Sequence, residues 1–305
     1  MPETLSFENI LNSIKQRNWE KVNEVWIKHI TTTPTTPFCP NEKFYEIPEL
    51  QKILINIIGA PQKAVICENI TGVRNLVFYE GLYYFYKSIN ALSASQNISI
   101  SGFQTLSLTS SYQSAYYSAL SIIHILGISF PQYNNKYCIL DFYTISSGGP
   151  KKSVTQDNFS ISFLPVKLLE HKHVWEIFLR TIRVSKIEDS IWPERVLKQL
   201  KKVLVKELPK QRNYIQYGYN KWLFEDLVEF ILEDDFIYRS KNIVNGLNFK
   251  PISDFSFILA ISLNLLTYRL VKDISNYTNV FKSDIELIEM LINDKFRFPL
   301  VVDID

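Results

Sequence analysis

The sequence predicts a mainly α protein with a small β-hairpin insertion, and three observations carry that expectation. Apolar residues recur at helical spacing along most of the 305 residues. Only 9 residues are glycine, roughly 3% against a usual value of about 7%, which disfavours architectures built from many tight turns or phosphate-cradling loops. Two β-like runs, 136–145 and 158–166, stand close together around the turn residues Gly148, Gly149 and Pro150. A hydrophobic fraction of 46% is ample for a packed core in a chain of this length.

The elements follow in order. Leu5, Ile10, Leu11 and Ile14, then Trp19, Val22, Val25, Trp26 and Ile30, predict two short amphipathic helices. The string TTTPTTPFCP, Thr31 to Pro40, cannot continue a helix and marks a linker. Helical spacing resumes over 47–58, and an aromatic-rich helix is expected from Val73 to about Ser95. Alternation of Ile98 and Ile100, then Leu106 and Leu108, predicts a short strand or extended entry over 97–108. The next helix, 110–126, carries Tyr112, Ala115, Tyr116, Ala119, Leu120, Ile123 and Leu126 on one stripe and stops at Gly127, a C-cap signal. After the hairpin, helices are expected over 168–184, 193–208, 213–235, 254–277 and 283–294, the last with Ser283, Asp284 and Glu286 in an acidic first turn. This gives N-terminal helices and a Thr/Pro loop over 1–40, a helical core with its β insert over 41–245, and C-terminal helices over 246–305.

Charge and cysteine usage narrow the function classes. With 33 basic and 31 acidic residues the net charge is +2, so any nucleic-acid surface must be a local patch. Cys39, Cys67 and Cys138 are odd in number and lack metal-ligand spacing, which predicts buried thiols in a reducing compartment. The acidic N-terminus does not read as a signal peptide, and the most apolar segments, 76–92 and 255–270, are interrupted by polar residues and read as core helices. A cytoplasmic protein with no membrane span follows. No phosphate-binding glycine loop, nucleophile elbow or zinc-protease motif is present, and no cofactor or metal is expected.

Two segments carry what chemistry the sequence suggests. The helix SSYQSAYYSALSIIHILGIS, Ser110 to Ser129, combines small residues with tyrosines, which permits close helix approach. The segment LPKQRNYIQYGYNKW, Leu208 to Trp222, opens a helix with Arg212 and Asn213 after Pro209. Together these resemble the HEPN superfamily, whose helical bundle has an early Tyr/Ala-rich helix and a late helix that opens with Arg and a polar residue and reaches a histidine after four to six intervening residues. In ribonuclease members of that family the Arg and His of two protomers form a metal-independent RNA-cleaving site. The resemblance therefore implies an HEPN-like bundle, a role in a prokaryotic antiviral defence or toxin-type system, and a partner that is another subunit, a second copy or RNA. It carries Arg212, Asn213 and Tyr217 over as the site. The sequence departs from the family pattern where the histidine belongs, because Tyr217, Gly218 and Tyr219 occupy that window. A tyrosine, with an ordinary pKa of about 10, is a poor general base but orients phosphate well.

Three readings stay open. Arg212, Asn213 and Tyr217 belong to a binding protein with a degenerate motif, or simply cap and pin a helix. Alternatively, Arg212 with Tyr217 or Tyr219 forms an active metal-independent ribonuclease, with a histidine supplied from elsewhere. The third reading is a metal-dependent nuclease using Asp141, Glu170 and Lys172, the residue types of such sites at loose spacing. A basic amphipathic helix leads into Arg212, with Lys198, Lys201, Lys202, Lys206 and Lys210 placed to engage RNA phosphates or to form an ordinary solvated face. His124, between Ile123 and Ile125, reads as a core histidine, and His171 and His173 as surface or capping residues. The acidic ladder Glu225, Glu229 and Glu233 reads as a solvated face rather than a cation site.

Overall fold

The computed structural model describes residues 47–58, 65–67, 70, 73–142, 159–163, 169–185, 255–278 and 282–295. Six helices lie among them: α1 (Pro48–Ile58), α2 (Val73–Ile100), α3 (Gln104–Ile125), α4 (His171–Ser185), α5 (Phe255–Thr278) and α6 (Lys282–Lys295). Five short strands accompany them: β1 (Val65–Cys67), β2 (Ile128–Ser129), β3 (Gln132–Tyr133), β4 (Lys136–Asp141) and β5 (Phe159–Phe163). The protein is mainly α with a small antiparallel sheet, as the periodicity predicts. The predicted helices over 193–208 and 213–235, and the two before residue 40, lie outside the described residues.

The chain divides into two compact units, and α2, α3 and α5 each contribute their two ends to different units. The first unit holds 1–83, 121–185 and 274–281. Its sheet runs in the order β1-β5-β4-β2, with β3 paired to β4. The expected hairpin is present as β4 and β5, paired antiparallel from Cys138↔Phe163 to Asp141↔Ser160. The sequence reading did not foresee β1, which joins the far edge of β5 through Val65↔Ile161; three residues are too few to show a period. The β3–β4 turn is made by Asn134 and Asn135, both at positive φ (47° and 58°), the left-handed pair that a two-residue hairpin requires. Cys138, Ile139, Leu140 and Asp141 are all buried, so both faces of β4 are covered. The core of this unit also takes Val77 and Phe78 of α2, Ile122, Ile123 and Ile125 of α3, and Trp175 of α4, which packs edge-to-face on Phe178 at 5.7 Å.

The second unit holds 84–120, 186–273 and 282–305. Its described part is helical, and one correction falls here. The strand-like alternation over 97–108 is not a strand: α2 continues to Ile100, turns through Ser101, Gly102 and Phe103, and re-enters α3 at Gln104. Gly102 (φ 90°) closes the helix, donating its N–H to Ser99 O at 3.0 Å while Phe103 N–H bonds Ile98 O at 3.1 Å. These two bonds are the reciprocal pattern of a Schellman C-cap. The reason for the mismatch is inverted polarity. Ser95, Gln96, Ser99, Thr105, Ser107 and Ser111 are the buried residues, whereas Ile100, Phe103 and Leu106 are 37%, 52% and 49% exposed. A rule that places apolar side chains inside misreads a helix pair whose inner face is serine.

That inner face is a heptad. In the second unit Ser88 Oγ donates to Ser114 O (2.7 Å) and Ser114 Oγ returns a bond to Ser88 O (2.9 Å), with Ser118 Oγ 2.6 Å from Ser88 Oγ. Seven residues along α2 the layer repeats: Ser95 Oγ to Ser107 O (2.8 Å), Ser107 Oγ to Ser95 O (2.9 Å), and Ser111 Oγ at 2.6 Å from Ser95 Oγ. In the first unit the same spacing puts Gly81 opposite Ser121, whose Oγ donates to Gly81 O at 2.7 Å. Within the second unit the seven-residue step forward on α2, from Ser88 to Ser95, is matched by seven backward on α3, from Ser114 to Ser107, so these stretches run antiparallel on a 3.5-residue repeat. Side chains this small allow backbones close enough for hydroxyls to reach the opposite carbonyls. Gly81 is the tightest point: a Cβ there would meet Ile125 Cγ1 at 3.0 Å and the Ile125 backbone N at 3.2 Å.

Candidate functional site

Arg212, Asn213, Tyr217 and Tyr219, the basic residues Lys198, Lys201, Lys202, Lys206 and Lys210, and the Glu225–Glu233 ladder lie outside the described residues. The segment of the resemblance that is described is α3, together with the helix it pairs with.

In the second unit the serine seam is closed by a third helix. Asn264 of α5, 1% exposed, donates from Nδ2 to Ser114 Oγ (2.9 Å) and to Ala260 O (2.8 Å), and its Oδ1 lies 3.0 Å from Ser88 Oγ. The amide thus uses both hydrogens in a fully buried place, while its carbonyl shares the single Ser88 hydroxyl proton with Ser114 O, which fixes α5 on the α2–α3 layer containing Ser88 and not on the one containing Ser95. The tyrosines of α3 divide by position: Tyr112 is buried, while Tyr116 and Tyr117 are half-buried. Tyr117 stacks on Tyr84 of α2 (centroids 6.3 Å, interplanar angle 20°), and Lys87 Nζ sits 5.5 Å from the Tyr84 centroid and 5.7 Å from that of Tyr117. Lys87 is the sole Asp, Glu, Lys or Arg from residue 81 to residue 135. A cation beside two stacked aromatic faces, on the stretch of this helix pair that carries no other charge, is suited to contact with an anionic, π-rich ligand.

The histidines resolve as follows. His124 is 2% exposed. Its Nε2 lies 3.5 Å from Glu80 Oε2, an oxygen that also accepts the Ser129 hydroxyl (3.1 Å), and its ring meets Phe130 edge-on at 5.9 Å. This is the core environment expected from its flanking isoleucines, and the burial keeps the ring from solvent. The carboxylate partner Glu80 was not foreseen, since it falls on α2, more than 40 residues earlier. His173 caps α4: the Glu170 N–H donates to His173 Nδ1 at 3.1 Å, and the His173 N–H to Glu170 O at 3.0 Å. Burial and the Lys172 ammonium hold the His173 pKa below its ordinary value, against a smaller upward pull from Glu170. His29 lies outside the described residues.

Of the metal-nuclease set, Glu170 and Lys172 pair with each other (3.1 Å) at the start of α4, each about half exposed. Asp141 is buried at the end of β4, opposite Ile128 and Ser160 in the sheet. Among the described residues, no three His, Cys, Asp or Glu side chains gather to hold a metal ion. Cys67 and Cys138 are free and buried, and burial pushes both thiols up to about 12, where they are unreactive. Cys39 is outside the described residues. Among the described residues no helix is long and apolar enough to cross a membrane.

Two further polar arrangements lie in the second unit. Tyr268 Oη donates to Glu289 Oε1 at 2.5 Å, and Lys272 Nζ approaches both, at 3.3 Å and 3.7 Å, tying α5 to α6. Tyr86 Oη donates to the backbone O of Asp284 (3.3 Å). The Asp284 carboxyl, itself buried, has an Oδ1 with no hydrogen-bond partner, and burial raises its pKa. Compared with protein-family models, curated proteins and solved structures, the chain matches none of them.

Proposed function

We propose that this chain is an HEPN-like helical component of a prokaryotic antiviral defence or toxin-type system, resident in the cytoplasm and acting through protein or RNA binding with a degenerate motif. The observation that supports the reading is the α2–α3 pair. The Tyr/Ala/Ser-rich helix on which the resemblance rests is 22 residues long, packed antiparallel through its small residues against a 28-residue neighbour, with Tyr116 and Tyr117 half-buried on it. Arg212 and Asn213 supply a phosphate-holding pair in this reading, and Tyr217 a hydrogen-bond donor where the family carries its proton-transfer histidine. Binding without turnover is the expected consequence, because neither an arginine nor an unperturbed tyrosine exchanges protons readily near neutral pH.

The test is to purify the protein from its native host, identify what co-purifies, and incubate it with RNA with and without EDTA. The reading expects a stable protein or RNA partner and no cleavage. Cleavage that survives EDTA and disappears in Arg212→Ala would replace it with an active metal-independent ribonuclease. Cleavage abolished by EDTA and by Glu170→Ala would point to the metal-dependent alternative. A monodisperse monomer carrying neither protein nor RNA would overturn it.

A further inference from the structure

We propose that His173 is a proton-sensitive cap on α4: neutral, its Nδ1 accepts the Glu170 N–H and fixes the first helical turn; protonated, it lets that turn go. The geometry dictates the chemistry. A backbone N–H can only donate, so the 3.1 Å contact from Glu170 N requires a lone pair on His173 Nδ1. The ring must then carry its single proton on Nε2. His173 is the third residue of α4, which begins at His171, and Glu170 is the N-cap. A side chain at that third position reaching back to the cap N–H is one half of a capping box, the place ordinarily taken by Glu or Gln. Histidine fills it only while neutral, since protonation converts the acceptor into a second donor facing a donor.

Protonation there is opposed twice more. The positive end of the helix dipole lies at this terminus, so a cation in the first turn is disfavoured where an anion would be welcomed. The ring is also largely buried, and the Lys172 ammonium beside it in sequence disfavours a second positive charge. Among the described residues Glu170 is the acidic group that favours the charged form, and it is engaged by Lys172 at 3.1 Å. His171 two residues earlier and Glu176 one turn later are the remaining titratable groups on this end of α4. The folded pKa is lowered, so the cap contributes stability above the ordinary histidine value of 6.5 and loses it as pH falls through the folded one.

The experiment uses the full chain, ¹⁵N-labelled at histidine and along the backbone. Ring nitrogen shifts are expected to report the Nε2–H tautomer for His173 at pH above 6.5. Hydrogen exchange of the Glu170 amide, normalised to its intrinsic rate, is expected to accelerate about fivefold as His173 titrates, the size of one cap interaction, while amides in the middle of α2 stay protected. His173→Gln keeps the acceptor without the titration, and should hold the amide protected across the whole range. An Nδ1–H tautomer would overturn the proposal. So would an exchange rate indifferent to the ring's charge, or the same pH dependence in His173→Gln. Should that variant fail to fold, the tautomer and exchange measurements on the unaltered chain decide alone.

Discussion

Replacing Ser95, Ser107 and Ser111 together by alanine should cost no more than about 1.5 kcal/mol, whereas the same replacement of Ser88, Ser114 and Ser118 should cost at least about 2 kcal/mol more. Each triple substitution removes three inter-helix hydroxyl contacts, worth about 1 kcal/mol each. Each gains about 0.5 kcal/mol per site from alanine's helix propensity. The carbonyls left behind, Ser95 O and Ser107 O in one layer and Ser88 O and Ser114 O in the other, keep their own helical bonds. When both partners become apolar and similar in shape, the exchange is close to neutral. The layers differ in Asn264. Losing Ser88 and Ser114 strips its buried Oδ1 and one Nδ2 hydrogen of their partners, and each orphaned group costs about 1 to 3 kcal/mol. The second variant should therefore lie at least about 2 kcal/mol below the first. Denaturant unfolding checks this as a lower midpoint at unchanged slope, and because both layers belong to the same unit, the same transition is compared. Adding Asn264→Leu to the Ser88-layer variant should restore most of the loss. Equal midpoints for the two triples, or a costlier Ser95 layer, would refute the reasoning.

Gly81→Val should destabilise by about 1 to 3 kcal/mol, the usual cost of overpacking, since its Cβ would meet Ile125 Cγ1 at 3.0 Å; thermal unfolding of the variant measures it. Asp284→Asn should raise stability at neutral pH by about 1 kcal/mol, at the low end of the cost of a buried polar group without a partner. The sign follows from a folded pKa raised above 3.8: ionisation is harder in the folded chain, so stability falls as pH rises through that range, and the advantage of asparagine should vanish below 3.8. Parallel denaturation curves at acid and neutral pH would show it. RNA incubation of the purified protein, with Arg212→Ala as control, tests the functional reading, and exchange at the Glu170 amide tests the cap.

Much of the scaffold was legible from periodicity and punctuation. Gly127 ends α3 at positive φ (84°), as its place after the apolar stripe predicts. The β4–β5 pairing arises where two β-rich runs flank turn residues. The burial of Cys67 and Cys138 follows the cysteine count. The turn at 101–103 was misread for a physical reason: hydrophobic alternation is a proxy for which side faces inward, and along this helix pair small size, rather than apolarity, selects the inner face. Gly102 was the usable signal there, standing seven residues beyond Ser95 as Ser95 stands beyond Ser88. The heptad of Gly81, Ser88, Ser95 and Gly102 can be found in the sequence by anyone looking for small residues instead of large ones.

By itself the sequence determined the mainly α class, the helix that carries the HEPN resemblance, and the isolation of Lys87 as the one charge in a 55-residue stretch, because composition and local period are properties of the chain. Only the tertiary structure decided the partners across long separations: Asn264 on Ser88 and Ser114, Glu80 on His124, Tyr86 on Asp284. Those pairings join residues more than 40 and as many as 198 positions apart. No local preference encodes such a contact. It exists because burying each polar group required a partner, and packing the helices determined which one was within reach.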